Sequence, residues 1–292
     1  MEGINMKKLT IAGLTAAGLG IMLGLSQAQT TTAPFEIKVN LRVGNEPLEL
    51  GKMYKTPGGL DYQVDLLKFY VSNVTLVKAD GGLVPVAGLS LAEFKGAGAM
   101  AGGGHGHGGS ASSSGSMASS MDMMPGGMMM SATGTQDAVV FKGNAPVGEY
   151  RGVRFDVGVP RELNNQDASL QKMPLGVESG MFWAWNPGYI FYRFEGKTMI
   201  AGKAEPFLLH MGTDAYRMPV GLFDLQKPGV KVNITAQGGT ARINLNVARV
   251  FERSPNSNAP WDLTVKELRV MHGGPNVGQA YLNLLGAWIM AQ

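Results

Sequence analysis

The run Gly180-Met-Phe-Trp-Ala-Trp-Asn-Pro-Gly-Tyr-Ile-Phe-Tyr-Arg-Phe-Glu-Gly196 puts seven aromatic side chains, Phe182, Trp183, Trp185, Tyr189, Phe191, Tyr192 and Phe194, into one stretch. Any fold of this chain has to bury it. If the run is extended, Trp183 and Trp185 share a face, because strand side chains alternate sides. Asn186-Pro187-Gly188 reads as a turn, with proline fixing its own φ and glycine taking the φ that other residues avoid. Beyond it, Tyr189, Phe191 and Arg193 point one way, and Ile190, Tyr192 and Phe194 the other. A strand apolar on both faces is a strand covered on both. The run is therefore expected to be a core strand.

The rest of the chain alternates in shorter pieces. Phe35-Glu-Ile-Lys-Val-Asn-Leu-Arg-Val43 switches between apolar and polar without a break, as a strand with one wet face does. Tyr150 to Val157 does the same, with Val153, Phe155 and Val157 inward. Leu66 to Val77 is β-prone throughout, and Asp80-Gly81-Gly82 turns it back into Val84 to Val86. Ala138 to Lys142 and Pro206 to Met211 read as short strands. Val230 to Thr235 and Ala241 to Val247 read as a hairpin across Gly238-Gly239. Leu263 to Val270 is a strand or a short helix. Ala280 to Met290 leans helical, with Leu282, Leu285, Trp288 and Ile289 on one side. Many short strands with no βαβ rhythm predict an all-β fold, an antiparallel β-sandwich.

The chain has a leader and an insertion. Lys7 and Lys8 precede an apolar run from Leu9 to Leu25, and Ser26-Gln27-Ala28 supplies the small-x-small cleavage pattern. The run is shorter than the ~20 residues that span a bilayer. Residues 1–28 are thus expected to be a signal peptide, and 29–292 a single exported domain. From Gly96 to Gly134 the chain is almost only Gly, Ala, Ser and Met, which cannot bury a core, so 96–134 is expected to be a disordered insertion.

Several chemistries are excluded. A net charge of +3 with no basic run gives no footprint for nucleic acid. There is no HExxH spacing, no nucleophile elbow, no phosphate loop and no dinucleotide fingerprint, and no pair of carboxylates stands out, so no enzymatic activity is expected. With no cysteine, neither a disulfide nor a thiolate metal cage can form. What the chain does carry is methionine. Eight of its 19 lie between Met100 and Met130, beside His105 and His107. Thioether and imidazole together suit copper(I), so His105, His107, Met121, Met123, Met124, Met128, Met129 and Met130 are expected to act as an auxiliary, loosely organised copper collector, against the reading of a Met-rich filler.

Five blocks in order carry a further likeness: Leu67 to Leu76, Tyr150 to Pro160 with Leu163-Asn164, Pro174-Leu175, the aromatic run Gly180 to Gly196, and Phe207 to Gly212. In these the chain resembles the MbnP-like family of exported copper-binding proteins named from methanobactin operons. The resemblance implies a β-rich protein of the periplasm or cell surface, itself non-enzymatic, serving copper uptake, storage or delivery. It also implies a dihaem peroxidase-like partner, MbnH, that oxidises a tryptophan to kynurenine, which then joins histidine in binding Cu(I). Carried onto this chain, the modifiable residue is Trp185 or Trp183, and the strand-end ligand is His210. The chain lacks the cysteines that cysteine-bearing members have, and places Asn165 where some members carry a histidine. The partner of His210 is then left open among His272, Met211 and the insertion. The competing expectation is a non-catalytic structural or interaction β-sandwich whose Met/His-rich insertion binds metal only weakly.

Overall fold

Alternation decides which side chains meet. In the computed structural model, which describes residues 30–97, 99, 127–131, 134–186, 188–223 and 231–291, the strand Thr32–Val43 buries Phe35, Ile37, Val39 and Leu41 and leaves the residues between them partly wet. This strand centres a five-stranded sheet. It runs parallel to Gly239–Asn246 and antiparallel to Ala138–Pro146, and Trp288–Met290 adds an edge beyond Gly239–Asn246. A ten-stranded sheet is built on Asp61–Val77, which pairs with Leu89–Lys95, Gly152–Val157 and Ile190–Ile200. Ile190–Ile200 continues into Lys203–Gly212, and that strand pairs in parallel with Val270–His272.

The inward faces of the two sheets make one core. Phe35, Ile37, Phe141 and Ile243 come from the smaller sheet, and Phe69, Phe155, Tyr192, Phe194, Phe207 and Leu209 from the larger. Burying each such side chain is worth about 1.5–3 kcal/mol, so this is where stability is concentrated. The architecture is the all-β sandwich expected. A second, smaller cluster lies on the outer face of the large sheet, where Tyr70, Leu91, Val159, Leu175, Trp183, Tyr189 and Phe191 pack together. Its cover is the segment between Gly152–Val157 and Ile190–Ile200, held in short turns at Arg161–Asn164, Ala168–Leu170 and Val177–Ser179.

Several local expectations change. The aromatic run is a strand only from Ile190. Its first half is a tight loop closed by a Phe182–Tyr189 bridge, and a bulge between Ile190 and Tyr192 puts Ile190 with the outer cluster. The hairpin across Gly238-Gly239 is reduced to one bridge. Val232–Ile234 pairs with Gly148–Tyr150, whereas Gly239–Asn246 joins Thr32–Val43, where Ala241, Ile243 and Leu245 reach the core. Gly238 makes that departure possible, because its φ is +116° and a Cβ there would sit 2.8 Å from the Pro34 carbonyl oxygen.

The C-terminal helix runs Pro275–Leu285 and buries Val277, Ala280 and Leu284, so Leu282 and Leu285 face outward, and Trp288 and Ile289 belong to a strand. Lys266–Arg269 is a helical turn leading into Val270–His272. Among the described residues, parallel pairing occurs in three ladders and the rest are antiparallel. The insertion expected over 96–134 ends early, since Gly127–Ser131 is a strand parallel to Leu89–Lys95. The signal peptide expected over 1–28, and insertion residues 100–126, lie outside the described residues. Among the described residues no helix is long and apolar enough to cross a membrane.

Candidate functional site

Strand register assembles one row of polar side chains across the outer face of the large sheet. Glu93 stands opposite Lys68, Lys68 opposite Arg193, Arg193 opposite His210, and His210 opposite His272. Lys68 and Arg193 are each 8% exposed and His210 5%. Charge at such depth is tolerable only when paired, and the row is paired along its length. Lys68 Nζ lies 3.0 Å from Glu93 Oε1. Arg193 Nε donates to Glu195 Oε1 at 2.6 Å, and His210 Nε2 meets the same oxygen at 2.6 Å. His272 Nδ1 and His210 Nδ1 are 3.0 Å apart.

These contacts fix protonation. Burial alone would raise the Glu195 carboxyl, but the bonds from His210 and Arg193 and the Arg193 charge outweigh it and hold it down to about 2. Glu195 is therefore an acceptor, and His210 Nε2 carries a proton. In a neutral His210, Nδ1 then holds the lone pair, and His272 Nδ1 donates to it. At the other end, burial pushes the Lys68 ammonium down, against the pull of Glu93.

The same row grips the loop above it. Lys68 Nζ donates to the Ser179 carbonyl at 3.0 Å, and Arg193 Nη1 to the Gly180 carbonyl at 2.9 Å. Gly180 leaves the turn at φ +62°, and Trp183 N–H closes the loop onto the Gly188 carbonyl at 3.3 Å. Asn164 secures its far side by accepting from Tyr189 N–H at 3.0 Å and donating to Asp214 at 3.2 Å. The Trp183 indole lies against Gly212, where a Cβ would come within 3.0 Å of Nε1 and 2.4 Å of the Tyr189 carbonyl oxygen. No side chain fits there, so glycine lets the indole reach the histidines.

Four of the expected residues therefore meet. The Trp183 ring centroid is 6.1 Å from that of His210 and 6.4 Å from that of His272, and Trp185 is 5.8 Å from His272 and 5.3 Å from Trp183. Trp183 is 7% exposed and Trp185 57%, so one indole is sealed in and the other covers it from outside. Trp183 Nε1 is buried with no hydrogen-bond partner among the described residues. Asn165 borders a cavity of about 480 Å³ that Trp183 and Trp185 also line.

Other expected residues are not brought in. Met211 follows His210 along an extended strand, so its side chain takes the opposite face and is buried in the core between the sheets. Met128, Met129 and Met130 lie in Gly127–Ser131, four strands away from that of His210, which at sheet spacing is roughly 20 Å. His105, His107, Met121, Met123 and Met124 lie outside the described residues. Among the described residues, no three His, Cys, Asp or Glu side chains gather as a metal cluster; His210 and His272 meet as a pair. Sequence reasoning passed over Lys68, Arg193 and Glu195. The available signal was the shared parity of Arg193 and Glu195 in a run otherwise apolar.

The model of the MbnP family matches residues 32–271. A solved structure, MbnP from Methylosinus trichosporium, is similar with a TM-score of 0.49 at 20% sequence identity, over 84% of this chain and 82% of that one. No curated protein matches the chain.

Proposed function

The chain belongs to the MbnP family, and from that premise we propose that it is an exported, non-enzymatic copper(I)-binding protein whose ligands are His210 and His272, with an oxidised Trp183 beside them. The observation that carries the proposal is the pair of Nδ1 atoms facing each other at 3.0 Å under two indoles. The donor set fits the metal. Imidazole suits copper, and a ligating histidine whose other nitrogen is held by a carboxylate is the usual second-shell arrangement, which Glu195 provides for His210. Copper(I) bound there would supply a soft, redox-active cation.

The chain's own residues do the preparation. Glu195 keeps the proton on His210 Nε2, so the lone pair that would coordinate sits on Nδ1, facing His272. Arg193 offsets the Glu195 charge that His210 faces. His272 would carry its proton on Nε2 to present Nδ1 to the metal, and protons compete with metal for both imidazoles, which makes binding pH-dependent. Trp185 shields the pair from bulk water.

Two imidazoles leave copper(I) short of a third donor, and the orphaned Trp183 Nε1 points to where one arises. We propose that a dihaem peroxidase-like partner of the MbnH kind, using peroxide as oxidant, converts Trp183 to kynurenine. Two peroxides lose two waters as two oxygen atoms enter and the C2–C3 bond breaks. Hydrolysis then releases C2 as formate. The nitrogen becomes an aniline with a lone pair, where the indole had offered only a donor N–H. The methionines and His105 and His107 of the insertion would gather copper loosely for uptake, storage or delivery in the periplasm or at the cell surface.

The test joins copper stoichiometry to tandem mass spectrometry after co-expression with such a partner. One tightly held copper(I), lost in His210→Ala, and a gain of ~4 Da on Trp183 by atom count are expected. Intact tryptophans together with copper binding unaffected by His210→Ala would sink the proposal, and a gain on Trp185 instead would reassign the modified residue.

A further inference from the structure

The end of the polar row away from His272 opens on a cavity of about 360 Å³. Lys68 and Arg193 line it, and Leu66, Val177, Phe182 and Met129 give it apolar walls. Both cations are more than nine-tenths buried. Lys68 has three N–H donors and uses two of them, on Glu93 and the Ser179 carbonyl. Arg193 has five, and its bonds to Glu195 and the Gly180 carbonyl use two. Arg193 Nη2 makes no hydrogen bond among the described residues and is not among the sealed, unpartnered atoms, so it reaches open space, and Lys68 lines the same cavity. The other charged groups on its wall are Lys95, Glu93 and Glu178, and Arg193 is also paired with Glu195 behind the wall.

We propose that this cavity binds a small monocarboxylate with an apolar tail, its carboxylate bridging Lys68 and Arg193 and its tail lying against Phe182 and Met129. A bridging carboxylate would accept from Arg193 Nη2 and from Lys68, and bonds between ionised groups are about twice as strong as neutral ones. The depressed Lys68 ammonium is consistent with a buried cation that Glu93 alone does not fully offset. A cavity of this size, apolar with a few convergent polar groups, has the make-up of a small-molecule site. The site is separate from the histidine pair, but Arg193 belongs to both through Glu195. It does not depend on the presence of copper.

The experiment titrates the purified chain, without added copper, with benzoate, benzyl alcohol and inorganic phosphate, read by calorimetry and by protein NMR shifts. Expected are one benzoate per chain, no response to benzyl alcohol, and at most weak competition by phosphate. Arg193→Gln should weaken benzoate at least about tenfold, the loss of a charged hydrogen bond. If Arg193→Gln fails to fold, Val177→Trp decides, because it fills the cavity from its partly exposed rim and leaves every charge in place; it should abolish the benzoate response. The proposal is overturned by no benzoate binding up to about 10 mM, by benzyl alcohol or phosphate binding as well as benzoate, or by a benzoate response that survives Val177→Trp. In those cases Lys68 and Arg193 serve only to clamp the loop at Ser179 and Gly180.

Discussion

Arg193 and His210 are cross-strand partners, and both bond a single oxygen, Glu195 Oε1, each at 2.6 Å. Through that oxygen the outer face of the large sheet becomes one electrostatic unit. Arg193 also holds the Gly180 carbonyl, so the loop that carries Trp183 and the strand that carries His210 are tied to the same guanidinium. The indole and the imidazole are positioned by one hub rather than by two separate scaffolds.

Replacing Glu195 by Gln removes the charge that fixes His210's proton and leaves Arg193 without its ion pair. Copper(I) affinity should fall about 10–100-fold, as second-shell changes do, and folding stability by about 3 kcal/mol. Competition with a chromophoric copper(I) chelator and urea denaturation measure the two. Affinity unchanged within a factor of two would mean that Glu195 does not orient the ligand.

Acid should expose the same group. Glu195 titrates near 2 in the folded chain against its usual 4.5, so the unfolded chain binds its proton first as pH drops. Its contribution is complete above pH 4.5 and drains away as pH falls toward 2, by about 3 kcal/mol in all. The stability gap between wild type and Glu195→Gln should therefore narrow across that window in urea melts at stepped pH. A gap that stays constant from pH 6 to pH 2 would refute the assignment.

The sandwich could be read from alternation because each strand's pattern is local. Phe35, Ile37, Val39 and Leu41 mark an inner face by parity alone, as do Val153, Phe155 and Val157. Pairing is not local. Thr32–Val43 lies beside Gly239–Asn246, and nothing in either segment names the other across some two hundred residues. The polar row depends on the register of five strands at once, so Lys68, Arg193 and Glu195 look like ordinary charges in sequence. His272 looks like a loop residue because its strand, Val270–His272, has only three residues and gains its meaning from the neighbour it pairs with. Met211 was decidable in advance, since adjacent residues of an extended strand cannot share a face.

The two tryptophans should part company under substitution. Trp183→Ala empties a buried site packed against Gly212 and should cost about 3 kcal/mol. Trp185→Ala removes a largely exposed ring and should stay within about 0.5 kcal/mol. Equal losses in urea denaturation would show that Trp185 is structural cover rather than a shield over the histidines.

Three changes separate the partners that sequence left open for His210. His272→Ala should weaken copper(I) at least about tenfold, because it removes one of two facing imidazoles. Met211→Leu should leave affinity unchanged and cost less than about 1.5 kcal/mol of stability, being a volume-conserving swap inside the core. Deleting residues 100–126 should remove only loosely held copper and leave the tight equivalent at the histidine pair. Chelator competition on all three proteins, with total copper counted by mass spectrometry, gives the answer. Loss of the tight equivalent in the deletion, with His272→Ala unaffected, would move the ligand set from the sheet to the insertion.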